Sequence, residues 1–149
     1  MLADINSTGK VAIMDKVFID SNIWLYYFIK DDAKKYQIAE EYLLKSADSS
    51  IIISYQVVNE VTNQLLRNKF SETVIRENIE FLFKICAIHN DSKDVIFLAS
   101  SLRTRYSFSY WDSLIVANAL NSGSDALISE DMQDGLRIEN MVIRNIFRP

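Results

Sequence analysis

Apolar residues fall along this chain in two alternating rhythms. Short runs rich in β-branched and aromatic side chains, such as Val17-Phe18-Ile19, Ile51-Ile52-Ile53 and Ala126-Leu127-Ile128, contain no polar position. Runs of that length and composition read as strands buried on both faces. Between them, apolar residues recur at three- and four-residue intervals, as Tyr36, Ala39, Tyr42 and Leu43 do. That is the spacing of a helix with one face on a core. The predicted order is a strand at 17–20, helices at 22–29 and 33–46, and a strand at 51–53. Helices at 54–68 and 71–85, a short strand at 86–88 and helices at 92–105 and 110–121 come next, followed by a strand at 126–128 and a fifth at 138–143. Asp32, Ser71, Asp91 or Ser92, and Ser109 are placed to cap helix starts, and Gly123 to stop the last one. Strands separated by helices predict an α/β protein, with a parallel central sheet of about four to five strands flanked by helices.

Composition narrows the picture without changing it. The 149 residues fit one domain, and with only 3 Gly and 1 Pro there is no linker composition. Residues 1–13 show no clear period, and Met14-Asp15-Lys16 looks like a natural start. The expectation is a disordered or added leader at 1–13 and a single domain at 14–149. Cys86 is the only cysteine, so an internal disulfide is excluded and a small buried hydrophobe is the plain reading. There is neither a secretory signal nor an apolar stretch of the eighteen or so residues needed to span a bilayer. A reducing cytoplasm and no membrane are expected. The net charge of -4 argues against a general nucleic-acid coat, which would carry a basic footprint. It leaves room for an enzyme that meets a nucleic acid locally, and for carboxylates gathered to hold a metal.

Four carboxylates stand where such a metal would need them. Asp20 ends the first buried strand, and in open parallel sheets ligand crevices lie at the strands' carboxyl ends. A carboxylate there is paired, hydrogen-bonded or metal-bound, or it simply caps the following helix. Glu60 follows the second strand on the flank of the stripe Val57, Val58, Val61 and Leu65. A solvated helix face is the default explanation, and a polar groove beside the core is the alternative. Asp112 lies three residues after Ser109, in the manner of a capping box, at the start of a largely apolar helix. Asp131 follows Ala126-Leu127-Ile128-Ser129-Glu130, with Glu130 and Asp134 competing for any role. In a parallel sheet these positions open on one edge. Two carboxylates about 4 Å apart repel by roughly 4 kcal/mol at an effective dielectric near 20. Four together require protonation or cations. With only one histidine, His89, and no cysteine pair, all-oxygen ligation points to Mg²⁺ or Mn²⁺.

Four short motifs carry a resemblance over about Lys16 to Phe147. They are Phe18-Ile19-Asp20-Ser21-Asn22 with Trp24-Leu25, Ser54 through Glu60, Trp111-Asp112-Ser113-Leu114-Ile115, and Ile128-Ser129-Glu130-Asp131. In this order the chain resembles the PIN-domain ribonucleases, specifically the VapC-type toxins of toxin–antitoxin pairs. The resemblance implies a three-layer α/β/α fold and matches Asp20, Glu60, Asp112 and Asp131 to the family's acidic quartet. Ser129 matches its supporting Ser/Thr, and Asn22 matches a polar position beside the first aspartate. It further implies Mg²⁺ or Mn²⁺ dependence, endonucleolytic cleavage of RNA, an antitoxin partner and a homodimer.

On that basis Asp20, Glu60 and Asp112 would anchor one ion and Asp131 would complete a second or weaker site. Arg67, Arg103 or Arg105 would position phosphates of a single-stranded RNA. Trp24 and Tyr110 read first as core residues, and as base-stacking platforms second. Two other readings remain open. One is a catalytically inactive PIN-like binding module. The other is an aspartyl-phosphate phosphotransfer domain, which would want a second acid where Asn22 stands.

Overall fold

The computed structural model describes residues 3–5 and 11–149. Within the stretch expected to be a leader, Ala3–Ile5 (β1) pairs antiparallel with Val11–Ile13 (β2). Residues 1–2 and 6–10 lie outside the described residues. The domain then begins with Lys16–Ile19 (β3), the first apolar run, whose Val17, Phe18 and Ile19 are buried. The helices Ser21–Ile29 (α1) and Ala33–Lys45 (α2) lead to Ser50–Ser54 (β4). Tyr55–Arg67 (α3), Glu72–Ile85 (α4), Ala87–His89 (β5), Lys93–Arg105 (α5) and Tyr110–Asn121 (α6) come next. Ala126–Ile128 (β6), Arg137–Ile138 (β7) and Met141–Arg144 (β8) complete the order. Among the described residues no helix is long and apolar enough to cross a membrane.

The main sheet has six strands in the order β5-β4-β3-β6-β8-β7. All pairs are parallel except β7 with β8, so the α/β class holds with one strand more than expected. The extra strand corrects the reading of 138–143 as a single element. That stretch is a hairpin whose turn passes through Glu139 at a φ of 53°.

The order places the site. The chain steps from β3 to β4 to β5 on one side, then returns to lay β6 against the other side of β3. The connection that makes this return runs through α5 and α6, which pack together, with α6 lying over β4 and β6. Neighbouring crossovers that depart in opposite directions leave a crevice outside the carboxyl ends of β3 and β6. α6 is buried almost all round from Ser113 to Ala119, as its apolar sequence requires. Cys86 is buried and free, its thiol pushed up to about 12 by that burial, so it is an inert packing group.

Candidate active site

The crevice is framed by two strand ends tied through backbone and side chain. Asp20 follows β3, and its backbone N–H donates to the Ile128 carbonyl of β6 at 2.9 Å. Ser129 follows β6 and donates from Oγ to Asp20 Oδ2 at 2.8 Å. The other oxygen, Oδ1, accepts from the Ser21 N–H at 2.8 Å, so Asp20 also caps α1. The capping role and the site role thus belong to one buried side chain, only 5% exposed.

Ser21 carries the arrangement across to the next helix. Its hydroxyl donates to Glu60 Oε2 at 2.6 Å, while Gln56 Nε2 donates to Glu60 Oε1 at 2.9 Å and to the Trp111 carbonyl at 3.2 Å. Glu60 therefore faces the crevice from the second turn of α3, and Gln56 ties that turn to the start of α6. There Ser109 Oγ accepts from the Asp112 N–H at 3.1 Å, the capping half of the predicted box. Asp131 is held from the opposite side, where Asn22 Nδ2 donates to its Oδ2 at 3.1 Å. Asp112 and Asp131 share the wall of a cleft of about 330 Å³.

The electrostatics record the crowding. Burial pushes the Asp20 carboxyl up to about 7, against the bonds from Ser129 and Ser21 that favour its charge. The charges of Glu60 and Asp112 push it further in the same direction. Asp112 is raised as well, first by burial and then by the charges of Asp131 and Glu60, while Ser109 opposes the shift. Asp20 thus senses Glu60 and Asp112, and Asp112 senses Asp131 and Glu60.

The neighbours that competed with Asp131 are used elsewhere. Glu130 accepts from Lys35 Nζ at 2.8 Å and from the Tyr26 hydroxyl at 2.7 Å. Asp134 Oδ1 accepts from the Asn145 N–H at 2.9 Å. Asn22 spends its amide on the loop after β6, with Oδ1 also accepting from the Glu130 N–H at 3.4 Å. Arg67 stands on the last turn of α3, two turns beyond Glu60 and exposed, so it is not brought to the acids. Arg103 is nearer, donating to Ser113 Oγ at 2.8 Å beside Asp112 and lying 5.2 Å from the Tyr110 ring centroid. Trp24 is wholly buried, as its core reading required, but Tyr110 is 52% exposed and is not a core residue. Sequence reasoning missed Ser21 and Gln56 as site residues. Gln56 is one turn before Glu60, a spacing that invites the pairing, whereas nothing local joins Ser21 to a partner 39 positions away.

A hard cation fits the chemistry of this donor set, which is entirely oxygen. One further polar group bears on the fit. Ser54 Oγ is the one buried side-chain polar atom without a hydrogen-bond partner among the described residues. The β3–β4 register, carried on two residues from Phe18 opposite Ile52, sets Ser54 beside Asp20. A buried hydroxyl left unpaired is costly, and here it borders the acids. As placed, no group of three or more Asp, Glu, His or Cys among the described residues is close enough to hold a metal ion. Mg²⁺ does not demand that, since it keeps several waters and takes only one or two carboxylates directly.

Comparison with known proteins decides the family. The PIN domain model matches residues 17–133. The chain belongs to the PIN domain family. Three solved structures show how widely this PIN domain's fold is shared. A chain of VapBC2 from Rickettsia felis, bound to a DNA fragment from their promoter, superimposes with a TM-score of 0.67 at 21% identity, covering 87% of this chain and 98% of that one. VapC20 of Mycobacterium tuberculosis, a sarcin-ricin loop cleaving toxin, gives 0.62 at 18% identity over 74% and 86%. A toxin–antitoxin complex from Klebsiella pneumoniae gives 0.64 at 21% over 85% and 95%. No curated protein sequence matches the chain.

Proposed function

We propose that this PIN domain is a divalent-metal-dependent endoribonuclease that acts as the toxin of a VapBC-type pair. The observation that carries the reading is Asp20. It is buried at the switch point of the sheet, fixed by Ser129 and Ser21, and pushed up to about 7 where Glu60 and Asp112 add to the effect of burial. Asp20, Glu60 and Asp112 would hold Mg²⁺ or Mn²⁺, with Asp131 completing the set. When bound, such an ion supplies charge stabilisation at phosphorus and an activated water for in-line hydrolysis.

The chain's own residues prepare that chemistry. Ser129 orients Asp20 through Oδ2, Ser21 spaces Asp20 from Glu60, and Asn22 aims Asp131 from the far wall. Arg103, next to the start of α6, is the cation best placed to meet a phosphate that approaches Asp112. An RNA strand, with an antitoxin that covers the crevice and a second copy of the chain, completes the proposed set of partners. VapC20, a sarcin-ricin loop cleaving toxin, and the toxin–antitoxin complex from Klebsiella pneumoniae support this assignment by shared fold.

As placed, the described acids form no group of three close enough to hold a metal ion, which favours a second reading, an inactive PIN-like binding module. One experiment separates the two. Mn²⁺ should raise the melting temperature of the wild-type protein and switch on cleavage of single-stranded RNA, and Asp20→Asn should lose both responses. A wild type that neither cleaves nor gains stability with Mn²⁺ is the binding module. The phosphotransfer reading gains nothing, because Asn22 is committed to Asp131 and the Glu130 N–H.

A further inference from the structure

Beside Glu60, and away from the cleft that holds Asp112 and Asp131, a second cleft of about 500 Å³ opens between the start of α3 and the start of α6. We propose that this cleft is a base-recognition pocket, which holds one unpaired RNA base bearing an exocyclic amine beside the phosphate to be cut. The inference rests on the nuclease reading for its substrate and goes beyond it in naming what the enzyme selects.

Its lining argues for a base rather than a phosphate. Tyr55 and Trp111 supply aromatic surface, Gln56, Asn59 and Asn63 supply side-chain amides, and Asp91 and Glu60 supply carboxylates. Among the described residues no lysine or arginine lines it, whereas a phosphate site is built from cations. Amides read a base edge with paired donor and acceptor, most familiarly adenine, and a carboxylate accepts from an exocyclic amine. A uracil carbonyl directed at Asp91 would be repelled. Stacking on an aromatic ring holds any base, and the amides and the acid choose among them.

The pocket is also held ready. Trp111 is 61% exposed and Tyr55 51% exposed, large apolar surfaces left in water. Each is braced by another ring: Trp111 against Tyr110 with centroids 4.9 Å apart, and Tyr55 against Phe83 at 6.3 Å. Asp91 accepts from Asn118 Nδ2 at 2.8 Å, and Asn118 Oδ1 meets His89 Nδ1 at 2.8 Å, so the acid is fixed by a polar chain behind it. Gln56 joins Glu60 to the Trp111 carbonyl. The same side chain thus lines the pocket and anchors a site acid, which sets the base next to the reacting phosphate. Walls fixed before binding lower its entropic cost. Asn59 and Asn63 are exposed one turn apart on the same helix face, the pair left to read the edge.

The test uses the intact protein and RNA octamers of A, C or U. Trp24 is wholly buried, so quenching of tryptophan fluorescence reports on Trp111. Titrated without divalent cation, oligo(A) and oligo(C) should bind roughly ten-fold more tightly than oligo(U). Asp91→Asn should erase that preference, and Trp111→Ala should weaken all three oligomers in a competition assay. With Mn²⁺ and a randomised single-stranded RNA, wild-type cuts should cluster beside A, C or G and avoid U, and Asp91→Asn should flatten the profile. Equal affinity for the three oligomers, or an unchanged preference in Asp91→Asn, overturns the pocket. Selective binding with no cleavage at any base supports the pocket and overturns the nuclease.

Discussion

The sheet carries an aspartate at each of its two edges, and they are held in opposite ways. Where strands begin, Asp125 precedes β6 and its Oδ2 accepts from the Asp15 and Lys16 N–H groups, both at 3.1 Å. Its own backbone donates to the Lys16 carbonyl at 2.8 Å and accepts from Val142 at 3.1 Å. It is an exposed acid closing strand starts against one another. Where strands end, Asp20 makes a similar backbone bond through Oδ1, yet it is buried with two other acids pushing its titration upward. Stability alone favours the first arrangement, since burying a carboxylate within reach of other acids is costly. An acid that the fold buries and crowds is a mark of function.

The sharpest way to break this contrast is to neutralise each acid in turn. Asp20→Asn keeps a competent helix cap, because Asn caps as well as Asp. It should nevertheless reduce RNA cleavage by about 10³-fold, the scale of losing a group that acts on the reaction. Asp125→Asn should leave the cleavage rate within a factor of about two and lower stability by about 1 kcal/mol. Equal losses of cleavage from the two would show that both edges are merely structural. Ser129→Ala sharpens the point by leaving Asp20 in place and removing the 2.8 Å bond that orients it. Groups that orient a metal ligand typically contribute 10–100-fold to affinity or activity. The Mn²⁺ concentration needed for half-maximal cleavage should rise by about that factor.

Next in size is a pH effect on stability without divalent cations. The unfolded Asp20 ionises near 3.8, while the folded one keeps its proton to about 7. Between those values the folded protein binds more protons, so stability falls as pH rises. The contribution is full below 3.8 and gone above 7. Asp20→Asn imitates the protonated state at every pH. The variant should melt close to wild type near pH 4 and roughly 5 °C or more above it at pH 8. Parallel melting curves for the two proteins across this range would refute the raised titration.

How far the sequence alone reached depends on the element. The buried runs of β3, β4 and β6 contain no polar position, so their type was plain and Asp20 fell at a strand end without ambiguity. The sequence over 138–143 reads as one strand because the hairpin's turn, Glu139-Asn140, carries no glycine. A left-handed φ of 53° on a glutamate is rare enough that no local rule announces it. For Glu60 a solvated face is the default, since helical periodicity fixes its flank but not what faces that flank. Only the packing of α1 against α3 brings Ser21 to it. Arg67 shares its side of α3, yet the rise of the helix, roughly 1.5 Å per residue, carries it about 10 Å along the axis. Tyr110 sits at the start of a buried helix, but that burial begins only at Ser113.

The smallest effect tests the boundary of the site. Glu130 and Asp131 are adjacent in sequence, and the loop after β6 sends them to different neighbours. Glu130 meets Lys35 at 2.8 Å and the Tyr26 hydroxyl, with side chains 33% and 22% exposed for the Lys35–Glu130 pair. A partly exposed pair of this kind contributes about 0.2–1 kcal/mol. Glu130→Gln should therefore lower the melting temperature by about 1–3 °C and leave both the cleavage rate and the Mn²⁺ requirement unchanged. Asp131 would keep its place, because Asn22 holds it by its side chain and holds Glu130 only by the backbone N–H. A rise in the Mn²⁺ requirement like that expected for Ser129→Ala would mean that the charge of Glu130 reaches the crevice. The acidic set would then extend one residue further along the loop than its hydrogen bonds imply.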